Sequence, residues 1–435
     1  MAPVFRHDRD LDFTDLFCGG GGTTTGFTES GYTCRLAANH DPVSIRTHVA
    51  NHPTVEHRRI DISNTNKRSM PRTRILAGSP ICTEIALAGG RKRTRGQLEL
   101  DLQVEGDEGR AKPETWERTR ATALDMIAWA EVHRPDAVFV ENVVEFATDW
   151  ELFDWWLKGW HRLGYRHQIV CASSAHLGDD SNVLAPQLRD RIYIVFTRTA
   201  TPKPNLEVRP AADCRECGPV RARQVWNNPR GRKIGKWGEQ YNYRCPNRRC
   251  GHQLLIPHVR AVAEVIDWNL LGRRVGDGKP RHKVFKPYAA STRARIAVGL
   301  QRFGADPHIA MLRNNSTAVS IRGAVPVLAA QGRHHALIIP NGRKNAPRTT
   351  AEPLTTLATK PHHSLVWPAP EVDDCLIRML TSDEMKQIQR FSPEYIVHGN
   401  LEERTLQIGN AVSVNAARWF AERIRAALTR FDLAV

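Results

Sequence analysis

A short strand that runs directly into four glycines constrains the fold of this chain more than any other feature. Residues 13–17 read Phe-Thr-Asp-Leu-Phe and predict a strand, Cys18 and Gly19–Gly22 follow, and residues 23–27 predict the start of a helix. Strand, glycine turn and helix together open a nucleotide-binding βαβ unit. Glycines let the backbone approach a ligand closely, and the helix start offers free N–H groups. The pattern therefore predicts an α/β fold with a ligand site at this turn.

The alternation of strands and helices continues after the glycine turn. Residues 32–38 predict a second strand that ends at Asn39, His40 and Asp41, and a helix follows to about residue 50. A polar or acidic residue at the end of a second strand commonly holds a ribose hydroxyl. Asp61 and Ile62 come near the end of a third short strand and suggest further cofactor contacts. The alternative for Asp61 is that it only caps a loop.

A cysteine on a tight turn is the candidate nucleophile. Residues 75–77 predict a strand, Gly78, Ser79 and Pro80 end it, and Cys82 follows two residues after the proline. A thiol at the end of a strand faces a cleft, so we hypothesise that Cys82 is a nucleophile. The alternative is a small buried apolar residue, the usual role of a lone cysteine. The charged residues 91–112 predict either a loop that orders on a polyanion or a merely solvated loop.

An acid and two arginines stand beside two further apolar strands. Residues 137–140 predict a buried strand that delivers Glu141 to its carboxyl end, where ligands bind in open α/β sheets. Glu141 is therefore a candidate acid, and the alternative is a helix-capping glutamate. Arg189 and Arg191 precede a strand over 192–196 and share one face at strand period. They suit an anion or a polar base edge, or they simply pair with acidic neighbours.

Two pairs of cysteines predict a metal site in the middle of the chain. Five of the nine cysteines are scattered singly, whereas Cys214 with Cys217 and Cys245 with Cys250 form two close pairs. This spacing is typical of a zinc ribbon, which we place over residues 212–252, with His252 as a possible substitute ligand. Four thiolates leave no open position, so the zinc would be structural. The remaining residues, 255–370, alternate short strands with turns and basic loops.

Helical patterns close the chain. Residues 115–133 have helical spacing of apolar side chains, and a helix is predicted over 376–393, capped by Thr381 or Ser382. Gly409-Asn410-Ala411-Val412 then precedes a final amphipathic helix. Its predicted apolar face carries Ala416, Phe420, Ile424 and Leu428.

The charge balance points to a polyanionic partner. The chain has 435 residues and a formal net charge of +16. Nucleic acid is the simplest partner for so basic a protein, and a compositional shift of the host is the alternative. No apolar leader or bilayer-spanning stretch is present in the sequence, so we expect a cytoplasmic protein without a membrane partner.

Six segments, in this order, resemble motifs of the DNA cytosine-5 methyltransferases. They are Asp15-Leu16-Phe17-Cys18-Gly19-Gly20-Gly21, Ser79-Pro80-Ile81-Cys82, Glu141-Asn142-Val143, Gln187-Leu188-Arg189-Asp190-Arg191, the Leu-Thr-x-x-Glu core within 378–391, and Gly409-Asn410-Ala411-Val412. The resemblance covers roughly residues 10–200 and 373–430. The zinc ribbon lies where that family has its variable target-recognition region.

The resemblance implies a fold, a reaction and a set of site residues. It implies a Rossmann-like S-adenosylmethionine-dependent methyltransferase core over 1–200, a mixed, mostly β target-recognition region over 201–372, and a segment over 373–435 that returns to the core. Cys82 would attack cytosine C6, Glu141 would protonate N3, Arg191 would hold the base carbonyl, and Arg189 would steady the thiolate side. The implied cofactor contacts are Asp15, Phe17, Gly19, Gly20, Asn39, His40, Asp41, Asp61, Ile62, Pro80, Asn410 and Ala411.

The implied substrate is a cytosine flipped out of double-stranded DNA by a monomeric enzyme, in a bacterial or phage-infected cell and in the context of restriction-modification. The family's usual Pro-Pro-Cys-Gln is here Ser-Pro-Ile-Cys-Thr, which resembles a variant in some phage and actinobacterial members. Asn39, His40 and Asp41 stand where an acidic ribose ligand is usual. The alternatives are a tRNA cytosine-5 methyltransferase, a non-catalytic zinc-ribbon DNA-binding protein, and an enzyme that uses a modified sulfonium cofactor.

Overall fold

A seven-stranded sheet organises the N-terminal half of the chain. In this computed structural model the described residues are 11–81, 117–279, 285–312, 318–328, 330, 335–339 and 371–434. Cys82 and the loop over 91–112 therefore lie outside the described residues. The strands of this half are β1 Asp12–Leu16, β2 Thr33–Asn39, β3 Glu56–Arg59, β4 Ile75–Gly78, β5 Ala137–Asn142, β6 Tyr165–Ser173, β7 Gln187–Leu188 and β8 Asp190–Arg198.

The strand order places a crevice where the sequence predicts the cofactor. The order is β3-β2-β1-β4-β5-β8-β6, and only β8 runs antiparallel to its neighbours in this sheet. From β1 the chain proceeds first to β2 and β3 on one side and then to β4 and β5 on the other. Ligands of open α/β sheets bind outside the carboxyl ends of the strands at such a reversal. The predicted Rossmann-like core is confirmed.

The helices tie the two ends of the chain together. They are α1 Gly22–Glu29, α2 Pro42–Asn51, α3 Glu117–His133, α4 Glu145–Thr148, α5 Phe153–Arg162, α6 Ala290–Phe303, α7 Ser382–Ile388, α8 Leu401–Asn410 and α9 Val414–Ala434. Phe139 of β5 packs against Phe27 of α1 and Phe420 of α9, with ring centroids 5.5 and 5.3 Å apart. A Cβ at Gly26 would lie 2.6 Å from the Ala417 Cβ, so only glycine allows α1 to pack this closely on α9.

The predicted apolar face of the last helix is confirmed. Ala416, Phe420, Ile424 and Leu428 are all buried in the same core as the central sheet. Four-residue spacing places them on one side of a helix, which explains why the sequence pattern was sufficient. No helix among the described residues is long and apolar enough to cross a bilayer.

The cysteine pairs belong to two small antiparallel sheets inserted after the core. Their strands are β9 Ala211–Cys214, β10 Gly218–Arg221, β11 Arg223–Trp226, β12 Tyr241–Arg244 and β13 Leu254–Leu255. β9 pairs with β10, and β12 lies between β11 and β13. We call residues 211–255 the cysteine insert. Its Tyr241 and Tyr243 are buried in the core cluster of the large sheet, so the insert is packed on the half of the chain that contains that sheet.

A second, antiparallel sheet follows the insert and takes a strand from the C-terminal segment. The strands of this region are β14 Arg273–Arg274, β15 His308–Met311, β16 Ala318–Ser320, β17 Val325–Pro326, β18 His335–Ile339 and β19 Leu376–Met379. The sheet order is β14-β19-β18-β15-β16, and β17 pairs separately with β7 of the core. α6 packs beside this sheet, where the sequence analysis predicts only strands and loops.

The helix predicted over 376–393 is wrong for its first residues. Residues 376–379 form β19, because they pair along their whole length with β18, and the helix begins only at Ser382. Thr381 is its N-cap, as predicted, and completes a capping box with Glu384. A short apolar run carries both helical and strand periodicity, and the neighbouring strand decides between them.

Candidate active site and cysteine cluster

A cavity of about 300 Å³ lies at the carboxyl ends of the central strands. Its wall brings together the ends of β1, β2, β4 and β5 with α8 and the residues that follow it. The predicted site residues in this wall are Phe17, Gly19, Asn39, His40, Asp41, Pro80, Glu141, Asn410 and Ala411. Segments from the two ends of the sequence thus share one cavity.

The glycine turn forms the floor of this cavity through an unusual backbone. Phe17, Gly19 and Gly21 all have positive φ, which reverses the chain between β1 and α1. A Cβ at Gly22 would lie 2.0 Å from the Val412 carbonyl oxygen, so the turn also requires glycine in order to seat the Gly-Asn-Ala-Val segment. Gly22 and Thr23 of the first turn of α1 line the cavity. Free N–H groups at this helix start favour a polar or anionic ligand.

Asp15 and Gly20 lie next to the cavity rather than in its wall. The Asp15 carboxylate is buried and accepts a 2.7 Å hydrogen bond from the Thr24 hydroxyl, which joins β1 to α1. Desolvation raises the pKa of Asp15 to about 7. The Gly20 carbonyl accepts a 2.8 Å hydrogen bond from the Tyr395 hydroxyl. Asp15 and Gly20 therefore hold the glycine turn, whose Phe17 and Gly19 line the cavity.

The segment after β2 reaches the cavity with all three of its polar residues. The Asn39 side chain accepts from the Asp41 N–H at 2.9 Å, and Asp41 accepts from the N–H and the hydroxyl of Ser44 at 2.8 and 2.6 Å. Partial burial raises the pKa of Asp41, but the Ser44 hydrogen bonds outweigh it and leave this pKa below its usual range. Asp41 thus caps α2 as an anion at the edge of the cavity.

Asp61 and Ile62 lie outside the cavity wall. β3 ends at Arg59, and the Asp61 carboxylate accepts hydrogen bonds from the Ser63 N–H at 3.1 Å and the Asn64 amide at 2.7 Å. Asp61 thus has the alternative role given for it above, capping a loop. Ile62 is buried in the core instead. The third strand is too short to carry these two residues to the cavity.

Glu141 and Arg191 form an ion pair at the cavity. Arg191 Nε lies 3.1 Å from Glu141 Oε1, and both side chains are mostly buried. The antiparallel pairing of β5 with β8 places Asn142 opposite Ile192, so Arg191 is brought next to the acid. Glu141 therefore lines the cavity with the guanidinium of Arg191 directly beside it.

The segment that leads to Cys82 is fixed by hydrogen bonds to its neighbours. The Asn142 amide donates to the Pro80 carbonyl at 3.1 Å. The Thr119 hydroxyl donates to the Ile81 carbonyl at 2.9 Å, and the Ile81 N–H donates to the Thr122 hydroxyl at 3.1 Å. Pro80 and Ile81 both line the cavity. The two residues that precede the candidate nucleophile therefore lie in the cavity wall, and Cys82 itself lies beyond the described residues.

Arg189 is placed differently from its neighbour. Its guanidinium is buried and donates to the Gly409 and Ala411 carbonyls at 3.1 and 3.0 Å. The sequence predicts that Arg189 shares a strand face with Arg191, but Arg189 falls between β7 and β8 and bonds to a different segment from Arg191. Arg189 thus connects the core to the Gly-Asn-Ala-Val segment. We infer that Arg189 positions the Gly-Asn-Ala-Val segment.

Several residues of the site were missed in the sequence. Leu406 and Gln407 of α8 line the cavity, and Asn142, Thr119 and Thr122 hold its proline turn. The Asn400-x-x-Glu403 pattern is a signal that could have indicated the start of α8, since both reciprocal hydrogen bonds of a capping box are formed there. Nothing in the local sequence indicated the threonines, because their partner lies about forty residues away.

The four paired cysteines come together. The sulfurs of Cys214, Cys217, Cys245 and Cys250 all lie within 4.8 Å of one another, and none is in a disulfide. Zinc held by thiolates at about 2.3 Å requires sulfurs about 3.8 Å apart, so this donor set fits a tetrahedral thiolate site. His252 donates its Nδ1–H to the Cys245 carbonyl, 2.9 Å away, and is not a member of the cluster.

The fold and the cavity define a class of α/β proteins that bind a nucleotide-like cofactor at a sheet reversal. The family model described as C-5 cytosine-specific DNA methylase matches residues 11–104 and 110–426, so the chain belongs to that family. The family implies methyl transfer from S-adenosylmethionine and a nucleic-acid substrate. No curated protein sequence matches the chain.

Solved structures share the fold at low sequence identity. DNMT2 of Spodoptera frugiperda aligns with a TM-score of 0.53 and 12% identity over 96% of this chain and 100% of its own. The Dnmt2 methyltransferase of S. pombe gives 0.52 and 12% over 97% and 99%. A putative DNA modification methyltransferase encoded in an E. coli prophage gives 0.48 and 15% over 97% and 100%.

Proposed function

We propose that this protein is a DNA (cytosine-5)-methyltransferase that methylates a flipped-out cytosine through a covalent adduct with Cys82. One observation carries the proposal. Glu141 lines the same cavity as the glycine turn and pairs with Arg191, and the segment leading to Cys82 is anchored to that wall. Acid, cation and nucleophile would then surround one ring beside one cofactor.

The residues of the cavity fit S-adenosylmethionine. We assign its contacts to the glycine turn at Phe17 and Gly19, to residues 39–41, and to Asn410 and Ala411. The glycine turn lets the backbone approach closely, and the anionic Asp41 suits a hydroxyl or an amine. When bound, the cofactor supplies an electrophilic methyl group on sulfur.

Covalent addition makes the cytosine reactive. The Cys82 thiolate forms a bond to C6, the C5–C6 π electrons move into the C4–C5 bond, and the C4–N3 π electrons move onto N3, which takes a proton from the protonated form of Glu141. C5 becomes enamine-like and can accept the methyl group. A base then removes the C5 proton, the S–C6 bond breaks, and Glu141 recovers the proton from N3. Arg191 would hold the carbonyl oxygen of the base and stabilise negative charge there.

Duplex DNA is the substrate that we favour over tRNA. The family model is described for DNA, the chain carries a net charge of +16, and the cysteine insert interrupts the core where a target-recognition region is expected. A cytosine inside a duplex cannot reach Cys82, so it must be flipped out at a cost of a few kcal/mol. We place this activity in the cytoplasm of a bacterial or phage-infected cell, as DNA methylation linked to restriction-modification, by a monomer.

We further propose that the four clustered cysteines hold a structural zinc ion. The donor set fits, and all four sulfurs belong to the cysteine insert. Cys214, Cys217, Cys245 and Cys250 would hold the ion, which would supply cross-linking and no chemistry.

A trapping experiment tests the reaction and the substrate together. Duplex DNA that contains 5-fluorocytosine should form a covalent complex with the protein when S-adenosylmethionine is present, because fluorine blocks removal of the C5 substituent. Cys82→Ser should abolish both the complex and methyl transfer, while S-adenosylmethionine binding stays within about twofold. Transfer of tritium from labelled cofactor to DNA and to tRNA, measured side by side, distinguishes the two substrates.

The matched control is Cys375→Ser, which replaces a buried cysteine that directly precedes β19 and does not line the cavity. This variant should still be trapped. A folded protein that binds cofactor but forms no adduct with DNA would contradict the DNA proposal, and adduct formation by Cys82→Ser would contradict the assigned nucleophile.

A further inference from the structure

Two adjacent residues of the cysteine insert contact the helix that follows the strand of Glu141 and the strand of Arg191. Lys236 Nζ lies 2.7 Å from Glu145 Oε1, and Glu145 begins α4 three residues after Asn142, the last residue of the strand of Glu141. The Trp237 N–H donates to Asp190 Oδ1 at 3.2 Å, and Asp190 precedes Arg191. One turn of the insert is therefore bonded next to both members of the pair.

The acceptors of these two contacts are poorly exposed to water. The Glu145 side chain is 5% exposed, so its charge depends on Lys236 for compensation. Desolvation raises the pKa of Asp190, and the Trp237 N–H, Lys236 and Arg191 oppose that rise. Truncating one partner of such a contact leaves a buried carboxylate without its cation, which displaces the segment that bears it.

Hydrogen bonds and a ring contact hold the Lys236–Trp237 turn in place. The Gln240 N–H donates to the Lys236 carbonyl at 3.0 Å, and the Lys236 N–H donates to Gln240 Oε1 at 2.8 Å. The Trp237 ring packs edge-on against His176, which follows β6, with ring centroids 4.8 Å apart. The turn leads into β12, which ends immediately before Cys245 of the cluster.

We infer that the Lys236–Trp237 turn is a brace that sets the distance between Glu141 and Arg191, so that the cysteine insert tunes the chemical step of the reaction. This inference rests on the proposed methyl transfer. Lys236 and Trp237 act through Glu145 and Asp190 and are positioning residues. The cysteine cluster closes the insert behind them, which couples its integrity to the catalytic wall.

The experiment compares two lysines of the same insert. Lys236→Met should lower kcat for methyl transfer roughly ten- to a hundredfold, because small displacements of catalytic groups carry penalties of that size. KM for S-adenosylmethionine should change less than about twofold, since neither Lys236 nor Glu145 lines its cavity. Lys236→Arg should restore most of kcat, because it returns a cation to Glu145.

Lys233→Met is the matched control. Lys233 is exposed and, among the described residues, donates to the Asn228 and Pro229 carbonyls of its own loop, so its loss removes the same charge without touching Glu145 or Asp190. It should keep kcat within about twofold. Equal kcat for Lys236→Met and Lys233→Met, with both folded by thermal unfolding, would overturn the brace.

Two further results keep the inference separable from folding and from the proposed function. Should Lys236→Met fail to fold, Glu145→Gln removes the same charge pair nearly isosterically, and it must show the same selective loss of kcat; unchanged kcat there overturns the brace. A wild-type protein without methyl transfer to DNA refutes the proposed function, whereas an active wild type with fully active brace variants refutes only this inference.

Discussion

Arg189 and Arg191 show how far two neighbouring side chains can differ in role. One residue separates them, yet Arg191 pairs with the cavity acid and Arg189 with two backbone carbonyls of the C-terminal segment. The Gln-x-Arg-x-Arg pattern gives both the same chemical group. Arg189 lies in the break between β7 and β8, whereas Arg191 lies within β8, next to the strand of Glu141.

The position of Arg189 predicts a loss of stability when it is shortened. Arg189→Met leaves the buried Gly409 and Ala411 carbonyls without these donors, and we expect the free energy of unfolding to fall by about 3 kcal/mol. Urea denaturation followed by fluorescence measures the change. Arg198→Met is the control, since Arg198 is exposed and lies 3.9 Å from Asp136. Equal stability of the two variants would contradict a structural role for Arg189.

At the scale of elements, α1, α2 and β3 enclose a group of histidines beneath the glycine turn. His48 Nδ1 lies 2.8 Å from His57 Nε2, and the His48 and His52 rings are 4.7 Å apart. His52 also contacts the Thr25 hydroxyl at 3.2 Å. Desolvation lowers the pKa of His48 far below its usual range and that of His52 to about 4. These rings are neutral in the folded protein at neutral pH.

Neutral buried histidines make the protein sensitive to acid. Between about pH 6.5 and 4 the unfolded chain binds protons at these imidazoles and the folded chain does not, so stability falls as the pH is lowered and is fully present above pH 6.5. His52 alone accounts for a contribution on the order of 3 kcal/mol across this window. His52→Gln should therefore flatten the decline of the unfolding free energy between pH 6.5 and 4.

The control for acid sensitivity is His40→Gln, because His40 is exposed at the end of β2. Unfolding free energies are measured by denaturant titration at several pH values. The decline for His40→Gln should parallel that of the wild type. The explanation fails if His52→Gln shows the same decline as well.

At the scale of the whole molecule, the two ends of the chain build one cavity and the middle of the chain braces it. α9 packs on α1, and the Gly-Asn-Ala-Val segment lies over the glycine turn. The cysteine insert is packed on the same half through Tyr241, Tyr243 and Trp237. Loss of order in the insert should therefore reach the catalytic wall.

Metal removal tests this connection. The protein should carry one zinc per chain by elemental analysis, and Cys217→Ser should lose it, because three thiolates hold zinc less tightly than four. Without zinc, proteolysis within 211–255 should accelerate and methyl transfer should slow. Cys34→Ser, which alters a buried cysteine of β2 outside the cluster, should keep the zinc. A wild-type protein free of zinc after purification without chelators would refute the metal site.

Local pattern in the sequence determined the parts of the fold that depend on neighbours along the chain. The glycine turn, the strand before Cys82, the acid at the end of β5, the two cysteine knuckles and the apolar face of α9 were all readable, because burial period, turn chemistry and donor spacing are local properties. Tertiary structure alone decided which residues meet. Residues 376–379 form a strand because β18 offers them a partner. Asp61 stays outside the cavity because β3 is short. Arg189 bonds to a different segment from Arg191 because it donates to a carbonyl that lies 220 residues away along the chain. Such contacts form between segments that no sequence window contains, so only packing in three dimensions fixes them.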